Sequence, residues 1–205
     1  MKKIAIISML LVSTLSVGAQ TENTQESSRS KPAAACKPFS LGLPMGIGAN
    51  AGLIGIGAEY GFAKHFSAGA GAGIGSWGYK YFGEAKYYFK DDCFKGSALG
   101  LAYTYATGIS DVDVKGIETV YGKKDVKMDL DPVSNLAIAY YHYWGMGRRR
   151  INRFYLSVGY SVCLSSVTYT VKGYPVSPLT GQGATTMNVL APGGLVLGLG
   201  FYFGL

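Results

Sequence analysis

Large apolar and small side chains alternate along the end of the chain. Between positions 154 and 164, Phe, Leu, Val and Tyr occupy every second position, and Tyr, Ser, Gly and Cys lie between them. Residues 195–205 repeat the pattern, with Leu and Phe alternating with Val, Gly and Tyr. Because successive side chains of a strand point to opposite faces, each segment predicts a β-strand with one large apolar face.

Six earlier segments alternate in the same way. They are 39–49, 52–62, 66–76, 79–89, 97–107 and 133–144. With the two segments at the end, the pattern predicts eight strands of 10–12 residues. A tilted strand needs about 9–11 residues to cross a bilayer. The first strand is the least regular, because Pro44 has no N–H to donate to a neighbouring strand.

The composition supports β structure and excludes several other classes. Glycine accounts for 30 of 205 residues and tyrosine for 16, while only 15% of residues are charged, against about 25% in soluble domains. This composition is too apolar for a disordered chain and too rich in glycine for a helical bundle. Glycines at every second position also exclude collagen, which needs them at every third.

Charged residues inside the predicted strands are few and share one face. They are Glu59, Lys80, Glu84 and Lys86, all opposite the large apolar side chains. A soluble sheet would carry many charges on its solvated face, whereas this face is mostly Gly, Ser and Ala. A Lys or Arg at the lipid-facing midplane of a barrel costs roughly 2–4 kcal/mol of stability. Only a closed barrel satisfies all the backbone hydrogen bonds of such strands in lipid. We therefore expect an all-β fold, an eight-stranded antiparallel up-and-down transmembrane β-barrel with a narrow lumen.

The N-terminus has the pattern of a secretory signal peptide over residues 1–19. Two lysines precede an apolar run, and the small residues Gly18 and Ala19 come before Gln20. The apolar run is too short to span a bilayer comfortably as a helix. Residues 20–38 are polar and without pattern, which predicts a flexible periplasmic lead-in. The barrel domain is then 39–205.

The connections between predicted strands differ in length on the two sides. With the lead-in on the periplasmic side, the periplasmic turns are short, at 63–65, 90–96 and 145–153. The outer connections are 50–51, 77–78, 108–132 and 166–192. Both long connections fall on the same side, as in outer-membrane barrels.

Aromatic residues gather near the strand ends, where girdles at the two membrane interfaces would lie. The predicted girdle contains Tyr60, Tyr87, Tyr103, Trp144, Phe201 and Phe203.

Together these features resemble the small outer-membrane β-barrel proteins of the OmpA/OmpX and "porin family" kind. The resemblance covers about residues 39–205, and it rests on the signal peptide, the strand–turn–strand unit 59–67, the strand end 85–89 and the alternating last strand. Members usually end in Phe or Trp, whereas this chain ends in Leu205. The resemblance implies the outer membrane of a Gram-negative bacterium, with outer-membrane lipids, lipopolysaccharide and the assembly machinery as partners. It implies no particular activity.

The charged residues Glu59, Glu84 and Lys86 would project into the lumen. One interpretation is a salt-bridge network that plugs the barrel, with Tyr141, Tyr155 or Tyr202 as partners, and the alternative is a gated path for a narrow solute channel. Eight strands enclose little more than their own side chains, which favours the plug.

The three cysteines permit one structural hypothesis. Cys36 and Cys93 would share the periplasmic compartment, where a disulfide can form, but two free thiols fit the sequence equally well. We interpret Cys163 as a small lumen or rim filler. The cysteines and two histidines fit no zinc spacing, so no metal or cofactor is expected.

Enzymatic function is the main alternative to a structural role. Lipid A-modifying hydrolases and acyltransferases of this size use a His near the outer rim, but His65 and His142 would lie towards the periplasm. A catalytic base must be within hydrogen-bond reach of its nucleophile, which argues against these enzymes. We therefore expect no catalytic residues.

The densest charge cluster is Arg148, Arg149, Arg150 and Arg153, which we interpret as a solvated periplasmic turn near anionic headgroups or cell-wall polymers. Nucleic acid is not an expected partner of an exported barrel. The sequence thus predicts a non-catalytic outer-membrane protein with a structural or surface-interaction role, in which an extracellular partner would bind loops 108–132 and 166–192.

Overall fold

The computed structural model describes residues 38–90, 96–147, 151–165, 169–173 and 179–205, except the side chains of 188–190. These residues form eleven strands and one helix. The elements are β1 Phe39–Ile47, β2 Ile54–Ala63, β3 Phe66–Gly75, β4 Gly78–Tyr88, β5 Gly96–Ala106, β6 Ile109–Thr119, β7 Gly122–Leu130, β8 Val133–Met146, β9 Asn152–Cys163, β10 Tyr169–Val171, α1 Gly181–Leu190 and β11 Gly194–Gly204.

Eight of the strands close into an antiparallel up-and-down barrel in the order β1-β11-β9-β8-β5-β4-β3-β2. The closing pair, β1 with β11, runs from Ser40 opposite Gly204 to Ile47 opposite Leu197. The predicted eight-stranded, antiparallel up-and-down barrel is confirmed, and each barrel strand begins and ends within two residues of its predicted position.

Pro44 affects only one of the two edges of β1. On one side it lies opposite Gly200 of β11. On the other side the β1–β2 ladder passes from the Gly42–Gly57 pair directly to the Met45–Ile54 pair. Since proline has no N–H, this short interruption is the expected cost of a proline in a strand.

The two faces of the barrel strands have opposite chemistry. In β8, Leu136, Ile138 and Tyr140 are exposed on the outside, while Asn135 and Ala137 are buried in the lumen. Small lumen residues make room for the few large ones, because eight strands enclose a narrow space.

The described parts of both long connections form strands and a helix, where the sequence predicted only loops. β6 and β7 form an antiparallel hairpin within 108–132, and β10, from the second connection, pairs with β7. The second connection also contains α1. An apolar cluster joins these elements to Trp77 and Val133 of the barrel, and its other members include Ile117, Val126, Met128, Leu130, Val171 and Met187.

We call the end of the barrel that carries this sheet the hairpin end, and the opposite end, where β1 begins and β11 ends, the terminal end. Both long connections lie at the hairpin end, on one side as the strand parity predicted. Within the described ranges, no helix has the length and apolar character needed to cross a membrane.

Candidate functional site

Four charged side chains from three strands meet in the barrel lumen. Lys86 of β4 places its Nζ 2.8 Å from Glu59 Oε2 of β2 and 2.5 Å from Glu84 Oε1. The other carboxylate oxygen of Glu59 lies 3.4 Å from Nη1 of Arg153, in β9. All four side chains are at most 4% exposed. The structure therefore brings the three predicted lumen charges together and adds a fourth, which balances two carboxylates with two cations.

Arg153 is a correction to the sequence interpretation, which placed it in a solvated turn. It is the second residue of β9, and its guanidinium points into the lumen, where it donates to Tyr88 Oη at 3.1 Å and to Ser40 Oγ at 3.2 Å. The other three arginines of the cluster, at 148–150, lie outside the described residues. The alternation in β9 indicates that Arg153 points into the lumen, because positions 153 and 155 share a face with the small residues of that strand.

Buried tyrosines surround the charges and bond to them. Tyr88 donates to Glu59 Oε1 at 2.6 Å, and Tyr141 and Tyr202 donate to the two oxygens of Glu84 at 3.2 and 3.4 Å. The Lys86 ammonium also lies 4.9 Å from the centre of the Tyr141 ring, within cation–π range.

The third predicted tyrosine, Tyr155, packs its ring against Tyr202 at 5.7 Å between centroids and lies beside Tyr141 and Tyr143. These rings fill the terminal-end half of the lumen. Tyr88 was missed, although its parity matches that of Glu84 and Lys86.

The β1–β2 connection folds into the lumen and closes it from the hairpin end. Asn50 donates through Nδ2 to Glu84 Oε2 and to Tyr141 Oη, both at 3.0 Å. Its neighbours Ala49 and Ala51 are 5% and 0% exposed. The cavity that remains beside Glu84 measures about 10 Å³, close to the minimum that holds one water molecule. Charges that are paired, hydrogen-bonded and tightly packed form a plug.

The predicted girdle residues lie on the outside of the barrel. Tyr60, Tyr87, Trp144 and Phe203 are 41–53% exposed towards the terminal end. Phe201 is half-buried because its ring packs on Phe154, at 5.0 Å between centroids. Tyr103 lies further towards the hairpin end, where its hydroxyl is 2.9 Å from Ser134 Oγ.

The two histidines occupy different settings at the terminal end. His65 Nδ1 is 2.8 Å from the carbonyl oxygen of Tyr88. His142 Nδ1 is 3.2 Å from Ser97 Oγ, which in turn is 2.6 Å from Tyr140 Oη. The Ser97–His142 pair was not predicted, since the two residues are adjacent only through the β5–β8 pairing.

No group of three or more His, Cys, Asp or Glu that could hold a metal occurs among the described residues. Cys36 and Cys93 lie outside them, so the disulfide hypothesis stays a prediction. Cys163 is a free thiol near the hairpin end of β9, and its Sγ donates to the carbonyl oxygen of Pro192 at 2.6 Å.

No family model matches this chain, and no curated protein matches it significantly.

Proposed function

We propose that this chain is an integral outer-membrane β-barrel protein with a plugged lumen and a non-catalytic, structural or surface-interaction role. The observation that carries the proposal is the separation of charge from the outer surface. All five charged side chains in the barrel strands are buried: Glu59, Lys80, Glu84, Lys86 and Arg153. Large apolar side chains cover the outside and are 40–67% exposed around its middle, among them Leu43, Ile56, Leu101, Leu136, Ile138, Val158 and Leu197.

Such a surface fits lipid much better than water. Soluble monomers rarely expose a contiguous apolar patch of more than a few hundred Å², whereas here the apolar side chains surround the barrel. The closed hydrogen-bonded barrel also leaves no unpaired strand edge, which is the requirement for strands in a bilayer. Outer-membrane lipids and lipopolysaccharide would then contact the outside, and the assembly machinery would insert the chain.

The hairpin-end sheet is the surface that would meet an extracellular partner. It presents Asp111, Asp113, Lys127 and Lys172, whose side chains are 40–63% exposed. A hydrated, charged sheet held by its own apolar cluster is a rigid surface for recognition, more so than an irregular loop.

Heat-modifiable migration in the outer-membrane fraction tests the membrane placement. We expect the unboiled protein to migrate faster than the boiled protein on a detergent gel, because a closed barrel stays folded until it is heated. A protein found soluble in the periplasm, with the same mobility before and after boiling, would contradict the proposal.

Lipid hydrolysis is a second candidate, and the Ser97–His142 pair is the observation in its favour. The pair lies on the outer surface at the terminal end, so its substrate would be a phospholipid ester of the periplasmic leaflet. Release of fatty acid that Ser97→Ala abolishes and Ser134→Ala preserves would support this candidate. Ser134 is a suitable control, because it is also a serine on the outside of the barrel, bonded to Tyr103 without a histidine.

A further inference from the structure

Lys80 differs from the other lumen cations because no carboxylate balances it. Its side chain enters the lumen from β4 near the hairpin end and is 8% exposed. Its Nζ donates to the carbonyl oxygen of Ala49 at 2.8 Å. Across the described residues no carboxylate oxygen lies within 4 Å of this ammonium, whereas Lys86 has two and Arg153 has one.

Among the described residues, the lumen side chains therefore carry one surplus positive charge. The barrel strands contribute two carboxylates, Glu59 and Glu84, and three cations, Lys80, Lys86 and Arg153. A buried charge without an opposite charge is costly, and a bound anion would remove that cost.

A cavity of about 440 Å³ lies directly against the Lys80 side chain. It is at the hairpin end, and its walls include Leu53, Trp77, Ala106 and Pro192. Gly48 and Gly52 of the β1–β2 connection, with Gly75 at the end of β3 and Gly78 at the start of β4, form another part of the lining. The volume lies within the range of small-molecule sites, about 300–1,000 Å³.

We propose that this cavity binds an organic monoanion, with its carboxylate on the Lys80 ammonium and its apolar body against Leu53 and Pro192, beside the buried indole of Trp77. The single surplus cation matches a single negative charge. The apolar walls favour an organic body over a hydrated inorganic ion, because a hydrated ion would lose water contacts that these walls do not replace. The site adjoins the plug, since Lys80 bonds to Ala49 next to Asn50, but the paired charges of the plug lie deeper in the lumen around Glu84.

Fluorescence of Trp77 gives a direct test. The chain has two tryptophans, so the Trp144→Phe variant leaves Trp77 as the only indole, in the wall of the cavity. We expect 4-bromobenzoate to quench this fluorescence saturably in the refolded, detergent-solubilised barrel. Its uncharged analogue, 4-bromobenzamide, should bind at least tenfold more weakly, and so should 4-bromobenzoate when Lys80→Met is added.

The Trp77→Phe variant keeps only Trp144, on the outside of the barrel. Its fluorescence reports quencher that dissolves in the detergent, and this quenching should not saturate. Equal quenching by the carboxylate and the amide would overturn the proposal without reliance on any lysine variant. Unchanged affinity in a Lys80→Met barrel that still migrates as folded before boiling would also overturn it.

Discussion

Glu59 contacts two cations, Lys86 and Arg153, whereas Glu84 contacts only Lys86 among the described residues. Glu59 also accepts a hydrogen bond from Tyr88. Glu59→Gln would remove the charge and keep the shape, leaving Arg153 buried beside a neutral amide. Because breaking a buried ion pair on one side typically costs about 3–5 kcal/mol, we expect the free energy of unfolding to fall by that amount. Urea titration of the refolded barrel, followed by tryptophan fluorescence, measures it.

Asp113→Asn is the matched control, because Asp113 is 63% exposed and its ion pair with Lys127 spans 4.0 Å. An exposed pair of this kind contributes at most about 1 kcal/mol. Equal unfolding midpoints for the two variants would contradict a stabilising role for the lumen network.

Two glycines on opposite faces of neighbouring strands offer a second comparison. A Cβ on Gly71 would lie 2.2 Å from the Ile56 carbonyl oxygen and 2.6 Å from the ring of Phe82, whereas a Cβ on Gly83 would meet nothing within 4 Å. Gly71→Ala should therefore destabilise the barrel by about 1–3 kcal/mol through overpacking. Gly83→Ala should be neutral or slightly stabilising, since glycine weakens a strand. The same loss in both variants, measured by urea unfolding, would show that the lumen is not tightly packed.

Unbroken strand parity predicted several of the lumen residues, although Tyr88 was missed within such a strand. Alternation alone predicted the lumen positions of Glu59, Glu84 and Lys86. It would also have predicted Arg153 if the predicted strand 154–164 had begun at 152, where β9 begins. Asn50 could not be predicted, because a residue in a connection has no parity. Its inward position depends on a fold of the chain around Gly48 and Gly52, both with positive φ, near +65° and +82°.

At the scale of elements, the β6–β7 hairpin shows why alternation can fail. Its apolar residues Ile109, Val112, Val114 and Ile117 do not share one parity, because the register shifts twice along the strand. Each shift moves the following side chains to the other face. The eight barrel strands were predicted because their pattern runs unbroken over most of their length, whereas β6 has a bulged pattern full of charges.

Lys172 connects the three strands of the hairpin-end sheet, and this connection should depend on pH. Its Nζ lies 2.5 Å from Asp111 Oδ1 and 3.3 Å from Asp129 Oδ1. The Asp111 backbone N–H, and then Lys172, hold the pKa of Asp129 below its usual 3.8. The hydrogen bond to Asp111 raises the pKa of Lys172 above its usual 10.5.

A lowered carboxyl pKa stabilises the sheet above pH 3.8, and this contribution is lost as pH falls through the lower folded value. A raised lysine pKa stabilises it below pH 10.5, and this is lost as pH rises through the higher folded value. We therefore expect protection of the β10 amides, corrected for intrinsic exchange, to be constant near pH 6 and to fall towards pH 2. Lys172→Met should weaken this pH dependence and leave the part that comes from the Asp111 N–H to Asp129, whereas Lys127→Met should leave all of it. Protection that does not change with pH in the wild type would contradict it.

For the whole molecule, the arrangement of charge inside and apolar groups outside has one decisive consequence. Ile138 lies on the outside of β8, is 52% exposed, and stands opposite Leu101 and Tyr160 near the middle of the barrel. In a bilayer, Ile138→Arg should lower the free energy of unfolding by roughly 2–4 kcal/mol, because the arginine would lie at the membrane midplane. In a water-soluble barrel an exposed substitution of this kind would change it by no more than about 0.5 kcal/mol.

Val120→Arg is the control, because Val120 is 65% exposed between β6 and β7 at the tip of the hairpin, where water surrounds it in either case. Both variants would be unfolded from lipid vesicles, and Ile138→Arg alone should be destabilised. If both variants unfold like the wild type, the apolar surface does not face lipid. The proposed membrane placement would then fail, while the barrel itself and the lumen plug would remain as described.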